Sequence, residues 1–223
     1  MADKARISKP KRTRITVRKQ PVQQRAQLLC KSLLDATAAI LVRHGYEGLS
    51  TNRVAEEAGV SVGSLYQYFP NKESLVAALI ERWSDSVMKT LSDQFLAVRE
   101  ESIEAAVEAL VQATLDTSRI NVKLHRILLQ QVPHVQASPA LTAFHRRMID
   151  IVSSWLDLHR DKLEVTDVHM AAELLVIALS GLSDHALLDR PELLDSTVFV
   201  RHLCRLVLGY LAPSKVVSLA QRI

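Results

Sequence analysis

Gly59-Val60-Ser61-Val62-Gly63 matches G-x-S-x-G, a pattern that can present a strained serine nucleophile. That chemistry needs a strand before the serine and a helix after it, at the edge of a sheet. Here the residues before Gly59 carry a helical pattern, and strand–helix alternation occurs nowhere in the chain. A serine hydrolase is set aside on that ground. The eight histidines are scattered, with no pair four residues apart and no His-Glu-x-x-His run, so no metal site is expected. Asp184-His185 is an adjacent pair with no nucleophile near it in sequence, and it reads as ordinary. Cys30 and Cys204 lie far apart in apolar helical contexts, which fits two buried thiols rather than a disulfide or a metal site. Neither a phosphate-binding loop nor a dinucleotide fingerprint occurs. No catalytic residue and no cofactor is expected, and the chain does not read as an enzyme.

Residues 50–69, STNRVAEEAGVSVGSLYQYF, offer a different chemistry. Two short helices joined by a tight turn containing glycine describe a helix-turn-helix. Ala55 sits where the helices cross, a place with no room for a larger side chain. Gly59 sits at the turn, where a positive φ is needed and glycine supplies it without strain. Val54, Ala58, Val60, Leu65 and Phe69 recur at intervals that bury them against a preceding helix. That leaves Ser61, Ser64, Gln67 and Tyr68 facing outward. Phe69 reads as a core aromatic, whereas Tyr66 fits core and surface equally. Asn71, Lys72 and Glu73 also fit a plain cap and first turn.

Long helices must position this segment. Hydrophobic residues make up 48% of the chain, with six glycines, seven prolines and few aromatics, so an all-α fold of about nine helices is expected. Ala26, Leu29, Leu33, Ala36 and Ile40 mark one apolar face of a first helix that Gly45 ends. Ser50 or Thr51 caps the second, Ser61 the third, which is expected to run to Tyr68 or Phe69, and Asn71 a long fourth from Lys72 into the nineties. Further helices are expected from Ile103, from about Asn121 to Gln131 before Pro133, and from Ser138-Pro139 to about Lys162. The last two run over 166–188 and 196–211.

Charge divides the chain into three. Residues 1–21 carry eight Lys/Arg against one acid, residues 22–82 are neutral, and residues 83–223 are net negative, within an overall +4. The first 21 residues are expected to be a disordered basic arm, either a solubilising tail or a DNA-tracking one. Residues 22–82 hold the helix-turn-helix and are expected to form a DNA-binding domain, and residues 83–223 a second, helical domain. The arm lacks the apolar stretch of a secretory signal, and the apolar run around Leu174–Leu182 is short for a bilayer, so a cytoplasmic protein with no membrane partner is expected.

From Ala36 to Leu79 the chain resembles the tetracycline-repressor (TetR) family. An Ala-rich helix ends in HGYEGLS, then TNRVAEEAGVS and VGSLYQYFPNKESLVAAL follow. The resemblance implies that the helix opening at Ser61 enters the major groove, with Val62, Gly63 and Ser64 near base edges and phosphates and Gln67 further along. It places the Tyr66 and Tyr68 hydroxyls and Lys72 at phosphate oxygens, and Thr51, Asn52 and Arg53 against the backbone at a helix N-terminus. Arg14 and Arg18 of the arm are added to that surface. The recognition helix has no Arg or Lys, so bidentate guanine reading is unavailable from it. Base selection then rests on apolar contacts, Gln67 and DNA shape.

The resemblance makes residues 83–223 an effector-binding and dimerisation domain and implies a ligand-responsive regulator, most simply a repressor, that binds a palindromic operator in double-stranded DNA as a homodimer. Activation stays open, as does a helical enzyme or binding protein whose helix-turn-helix is purely structural. Met170–Leu182 is apolar nearly all round, and the last helix carries a wide apolar stripe. Leu175, Leu179, Leu182, Phe199, Leu203 and Leu206 are therefore expected at a dimer interface, with a monomer core as the alternative. A small apolar effector is expected between the central helices, against Phe95, Leu128, His145, Met148 and Trp155, each of which also fits a plain core position.

Overall fold

The computed structural model describes residues 24–98, 100–119, 121–132 and 139–212. The arm with Arg14 and Arg18, and the expected stops and caps at Pro133 and Ser138, lie outside the described residues. Nine α-helices and two 3-10 turns occur among those described, with no strand. They are α1 Gln24–His44, α2 Thr51–Glu57, α3 Val62–Tyr66, α4 Lys72–Ala97, α5 Ile103–Arg119, α6 Val122–Gln131, α7 Pro139–Leu158, α8 Val168–Asp189 and α9 Thr197–Leu211.

Caps set the boundaries. Gly45 ends α1 with φ 68°, its N–H bonding to the Leu41 carbonyl at 2.9 Å. The Ser50 hydroxyl accepts from the Arg53 N–H, Ser61 from Ser64, Asp167 from Met170 and Ser196 from Phe199, each satisfying an orphan donor of a first turn. Asn121, itself left-handed at φ 56°, caps α6 through the Leu124 N–H. Two helices are shorter than the periodicity predicts. α3 stops at Tyr66 and continues only as turn bonds from the Tyr68 and Phe69 N–H groups to the Leu65 carbonyl. α7 stops at Leu158, and Arg160–Lys162 is a separate 3-10 turn. Buried His159 lies at that break, its Nδ1 2.9 Å from the Trp155 carbonyl oxygen.

The described residues divide into two compact units, one holding 24–40 and 48–79, the other 41–47 and 80–212. The first unit is built on Leu33, Ile40, Leu49, Val54, Leu65, Phe69, Leu75 and Leu79, all essentially inaccessible. In the second unit α5 packs against α8 and α9, α7 against α8, and α6 against α5 and α8. Its core runs from Val87 and Leu91 through Val107, Val111 and Leu115 to Leu156, Leu187 and Leu211. By length and composition α8 could cross a bilayer; one side of it, with Ala171, Ala172, Leu175, Val176, Ala186 and Leu187, is buried in the core of this unit.

Candidate DNA-binding surface and interior cavity

The helix-turn-helix is set by three local interactions. Val54 and Ala55 are buried where α2 meets α3, and a methyl is the largest group Ala55 carries there. Gly59 turns the chain at φ 66°, with its N–H bonded to the Glu56 carbonyl at 3.0 Å. The Thr51 and Tyr66 hydroxyls lie 3.1 Å apart and join the start of α2 to the end of α3. Leu65 and Phe69 then anchor α3 inward, leaving Ser61, Val62, Gly63, Tyr66 and Gln67 exposed.

Asn52 and Arg53 are exposed at the N-terminus of α2, whereas Thr51, Ser64, Tyr68 and Lys72 are half-buried. Tyr66 is 40% exposed, so it belongs to the surface and not to the core. The Arg53 guanidinium donates to the Gly48 carbonyl at 2.9 Å, which holds it beside the α2 N-terminus. Ser61, the serine of the G-x-S-x-G match, is an N-cap preceded by helix and turn. Its Oγ lies 2.8 Å from Ser64 Oγ and accepts the Ser64 N–H.

The second unit holds a partly open cavity of about 140 Å³ lined by α4 to α9. Phe95, Leu128, His145, Met148 and Trp155 all line it. The sequence reading missed Trp83, Ser118, His125, Ser183 and Asp184, which also line it. Asp184 is not ordinary: it faces this cavity, and only His185 turns outward, 2.9 Å from Asp189. The sequence held no clue to it, since α8 also carries Glu173 and Asp189, neither of which lines the cavity.

These polar groups cluster. The Ser118 and Ser183 hydroxyls are 2.7 Å apart, and His125 Nε2 is 3.6 Å from the Asp184 carboxylate. Burial holds the His125 imidazole down at a pKa of about 4 and raises the Asp184 carboxyl to about 6. At neutral pH the contact is therefore a carboxylate beside a neutral ring and not an ion pair. His145 is also lowered by burial. His125 Nδ1 and Trp155 Nε1 are buried and have no hydrogen-bond partner. The His125 ring lies 4.9 Å from that of Trp83, which lies 6.0 Å from Phe144, giving the cavity an aromatic wall.

The exposed large apolar residues of this unit are Leu96 on α4, Leu158 on α7 and two stripes on α8 and α9. Met170, Leu174 and Ile177 lead to Gly181 on α8, and Val198 and Leu206 lead to Gly209 and Tyr210 on α9. Of the expected interface residues, Leu206 is exposed and Leu179, Leu182 and Phe199 are half-buried. Leu175 and Leu203 are instead buried in the core of the single chain. A helix apolar on every side does not disclose which face turns inward.

Comparison with known proteins rests on two family descriptions. "Bacterial regulatory proteins, tetR family" matches residues 33–79, and "Tetracyclin repressor-like, C-terminal domain" matches residues 102–211. Together they span well over half of the chain. The chain belongs to the TetR family. The nucleoid occlusion factor SlmA of Glaesserella parasuis is 34% identical over 115 residues, which is 51% of this chain and 54% of that protein. The transcriptional repressor KstR of Mycolicibacterium smegmatis is 48% identical over 52 residues, 23% of this chain and 26% of that one. This TetR-family chain thus aligns with about half of SlmA's length and a quarter of KstR's. Among solved structures, the SmeT–triclosan complex aligns with a TM-score of 0.61 at 24% identity, over 82% of this chain and 91% of that one. SmeT is a repressor from Stenotrophomonas maltophilia. At that identity the likeness concerns the fold.

The thiols of this TetR-family chain take no part in either feature. Cys30 is buried with its pKa raised by burial, and the half-buried Cys204 is pushed to about 11 by burial and then by Glu108.

Proposed function

We propose that this TetR-family chain is a DNA-binding transcriptional repressor that grips a pseudo-palindromic operator as a homodimer in the cytoplasm. A small effector in its second unit releases it. The observation that carries the reading is the α2–α3 pair, whose polar face is exposed around a tightly anchored, glycine-turned scaffold. The exposed N-terminal turn of α3 offers Val62, Gly63 and Ser64 to a groove, and the hydroxyls of Tyr66 and Tyr68 with Lys72 offer phosphate contacts. Asn52 and Arg53 add a grip at the α2 N-terminus.

Dimerisation is argued from the two apolar stripes. Leu174 and Ile177 on α8 and Val198 and Leu206 on α9 are large and exposed, which a single chain has no reason to maintain. A Cβ at Gly181 or Gly209 would meet nothing within 4 Å, so partner helices can approach the backbone closely there. A two-fold dimer sets its recognition helices about 34–36 Å apart, one turn of DNA. The effector reading rests on the partly open, mostly apolar cavity. The SmeT structure carries triclosan, which gives the same fold a small-molecule precedent.

Capture of genomic fragments on the purified full-length chain tests the reading. A palindromic fragment should be retained by the parent protein and lost by Tyr68→Ala and Lys72→Ala, while Ser64→Ala and Gln67→Ala should shift the preferred sequence. Unchanged retention in all four variants would overturn the surface assignment. Removing residues 1–20 should flatten the dependence of log affinity on log salt by about 0.9 per phosphate contacted. Identical slopes would leave the arm as a solubilising tail.

A further inference from the structure

The cavity is apolar over most of its wall, and the exceptions are hydroxyls, two imidazoles and one acid. Asp184 supplies a carboxylate, and no Lys or Arg occurs among the described lining residues. The groups that could neutralise the carboxylate from within do not. His125 is 8% exposed and kept neutral by burial, at 3.6 Å, while His145 is also held toward its neutral form. The Asp184 side chain is 32% exposed, so it meets water on one side and the cavity on the other, and a cation in the cavity would find it as its nearest counter-charge. The rings of Trp83, Phe144 and His125 line the same cavity, with centroids 4.9 and 6.0 Å apart and planes tilted by 49° and 44°. Aromatic faces beside one acid suit an organic cation, which gains from both the ring quadrupole and the counter-charge.

We propose that this cavity selects a lipophilic cation, an amine or quaternary ammonium group on an apolar body, with Asp184 as its counter-ion and the Trp83–Phe144 wall against its faces. The proposal rests on the reading of the cavity as the effector site and adds the chemical class of the effector. Carboxylate ligands such as fatty acids are disfavoured, since they would meet Asp184 with no base to receive them. The Ser118–Ser183 hydroxyl pair and the buried His125 Nδ1 give secondary polar contacts to a ligand that carries a donor.

Three probes of nearly one shape separate charge from fit: benzyltrimethylammonium, its uncharged carbon isostere neopentylbenzene, and phenylacetate. A cavity of about 140 Å³ is of the size that admits a benzene ring. Both tryptophans of the chain, Trp83 and Trp155, line it, so their fluorescence reports occupancy in the full-length protein. The cation should bind at least tenfold more tightly than the neutral isostere, and phenylacetate should be weakest. In Asp184→Asn the preference of cation over isostere should fall to near parity while the isostere keeps its affinity. Equal affinity of the parent protein for cation and isostere, or a preference for phenylacetate, would overturn the charge assignment and leave the cavity reading standing. Failure of all three to change the fluorescence would overturn both. The selectivity of the parent protein decides the proposal even if Asp184→Asn does not fold.

Discussion

In the helix-turn-helix unit the fully buried hydroxyls are both bonded. Thr37 donates to the Leu33 carbonyl at 2.7 Å, and Ser74 donates to the Asn71 carbonyl at 2.7 Å. In the second unit Ser84, His125, Arg126 and Trp155 each keep a buried polar atom without a hydrogen-bond partner, and His125 and Trp155 line a partly open cavity among the helices. No described residue of the first unit is in that group. An interior that satisfies every buried group leaves function to the surface. An interior that leaves atoms unsatisfied, each costing about 1–3 kcal/mol, holds places for something to bind. The first unit is thus a rigid mount for exposed side chains, and the second holds its chemistry inside.

The largest effect should come from damaging the mount. Leu65 is fully buried under the exposed face of α3, and Leu65→Ala should cost about 2–5 kcal/mol in urea unfolding and take DNA binding with it. A loss below about 1 kcal/mol would mean that this unit is as loosely filled as the other.

The next effect is a pH dependence that belongs to the second unit. The Asp184 carboxyl is raised from 3.8 to about 6, so the folded chain holds an extra proton in that window and gains stability as pH falls through it. The His125 imidazole is lowered from 6.5 to about 4, so the unfolded chain takes the extra proton and stability is lost as pH falls. In the parent chain these two contributions nearly cancel. Asp184→Asn leaves His125 unopposed, and the unfolding free energy should then drop more steeply with acid than in the parent, by up to about 1.4 kcal/mol per pH unit. Parallel pH profiles for the two proteins would show that the cavity cluster does not titrate in this way.

Two glycines offer a sharper contrast. Gly45 and Gly59 have nearly the same φ, 68° and 66°, yet a Cβ at Gly59 meets nothing, whereas one at Gly45 comes 2.5 Å from Gln131 Oε1. That oxygen accepts the Tyr46 N–H at 3.1 Å. Gly59→Ala should cost about 1–2 kcal/mol from the left-handed backbone alone. Gly45→Ala should cost about 1 kcal/mol more through the lost bond. Gln131→Ala is the control, since it should lower stability modestly and bring the two glycine substitutions closer in cost. The smallest effect should be a gain. His125→Leu removes an unsatisfied nitrogen from an apolar wall and should raise stability by about 1 kcal/mol. A loss of that size would show the nitrogen to be satisfied.

The two regions were also unequally legible in the sequence. In residues 50–72 the caps, the turn glycine and the inward apolar residues are each local, so short-range chemistry names them one by one. The exception was the end of α3, where the helix stops at Tyr66 and the chain runs on in turns to Pro70, which disfavours a helical backbone at Phe69. In the second unit the helices were legible but not their facing. α8 is apolar on nearly every side, so Leu175 reads the same as Ile177, although one is core and the other is 61% exposed. Asp184 and His125 are 59 positions apart, and only packing brings them together. Their neighbours in sequence give no sign of it.

The central claim is that the exposed face of α2 and α3 reads a DNA sequence, and one titration tests it directly. Fluorescence anisotropy of the full-length chain on the captured palindrome and on a scrambled duplex of the same composition, at one physiological salt concentration, compares specific with non-specific binding. The account predicts at least roughly a thousandfold preference for the palindrome, reduced to near equality by Gln67→Ala with Ser64→Ala. Equal affinity of the parent protein for the two duplexes would contradict it.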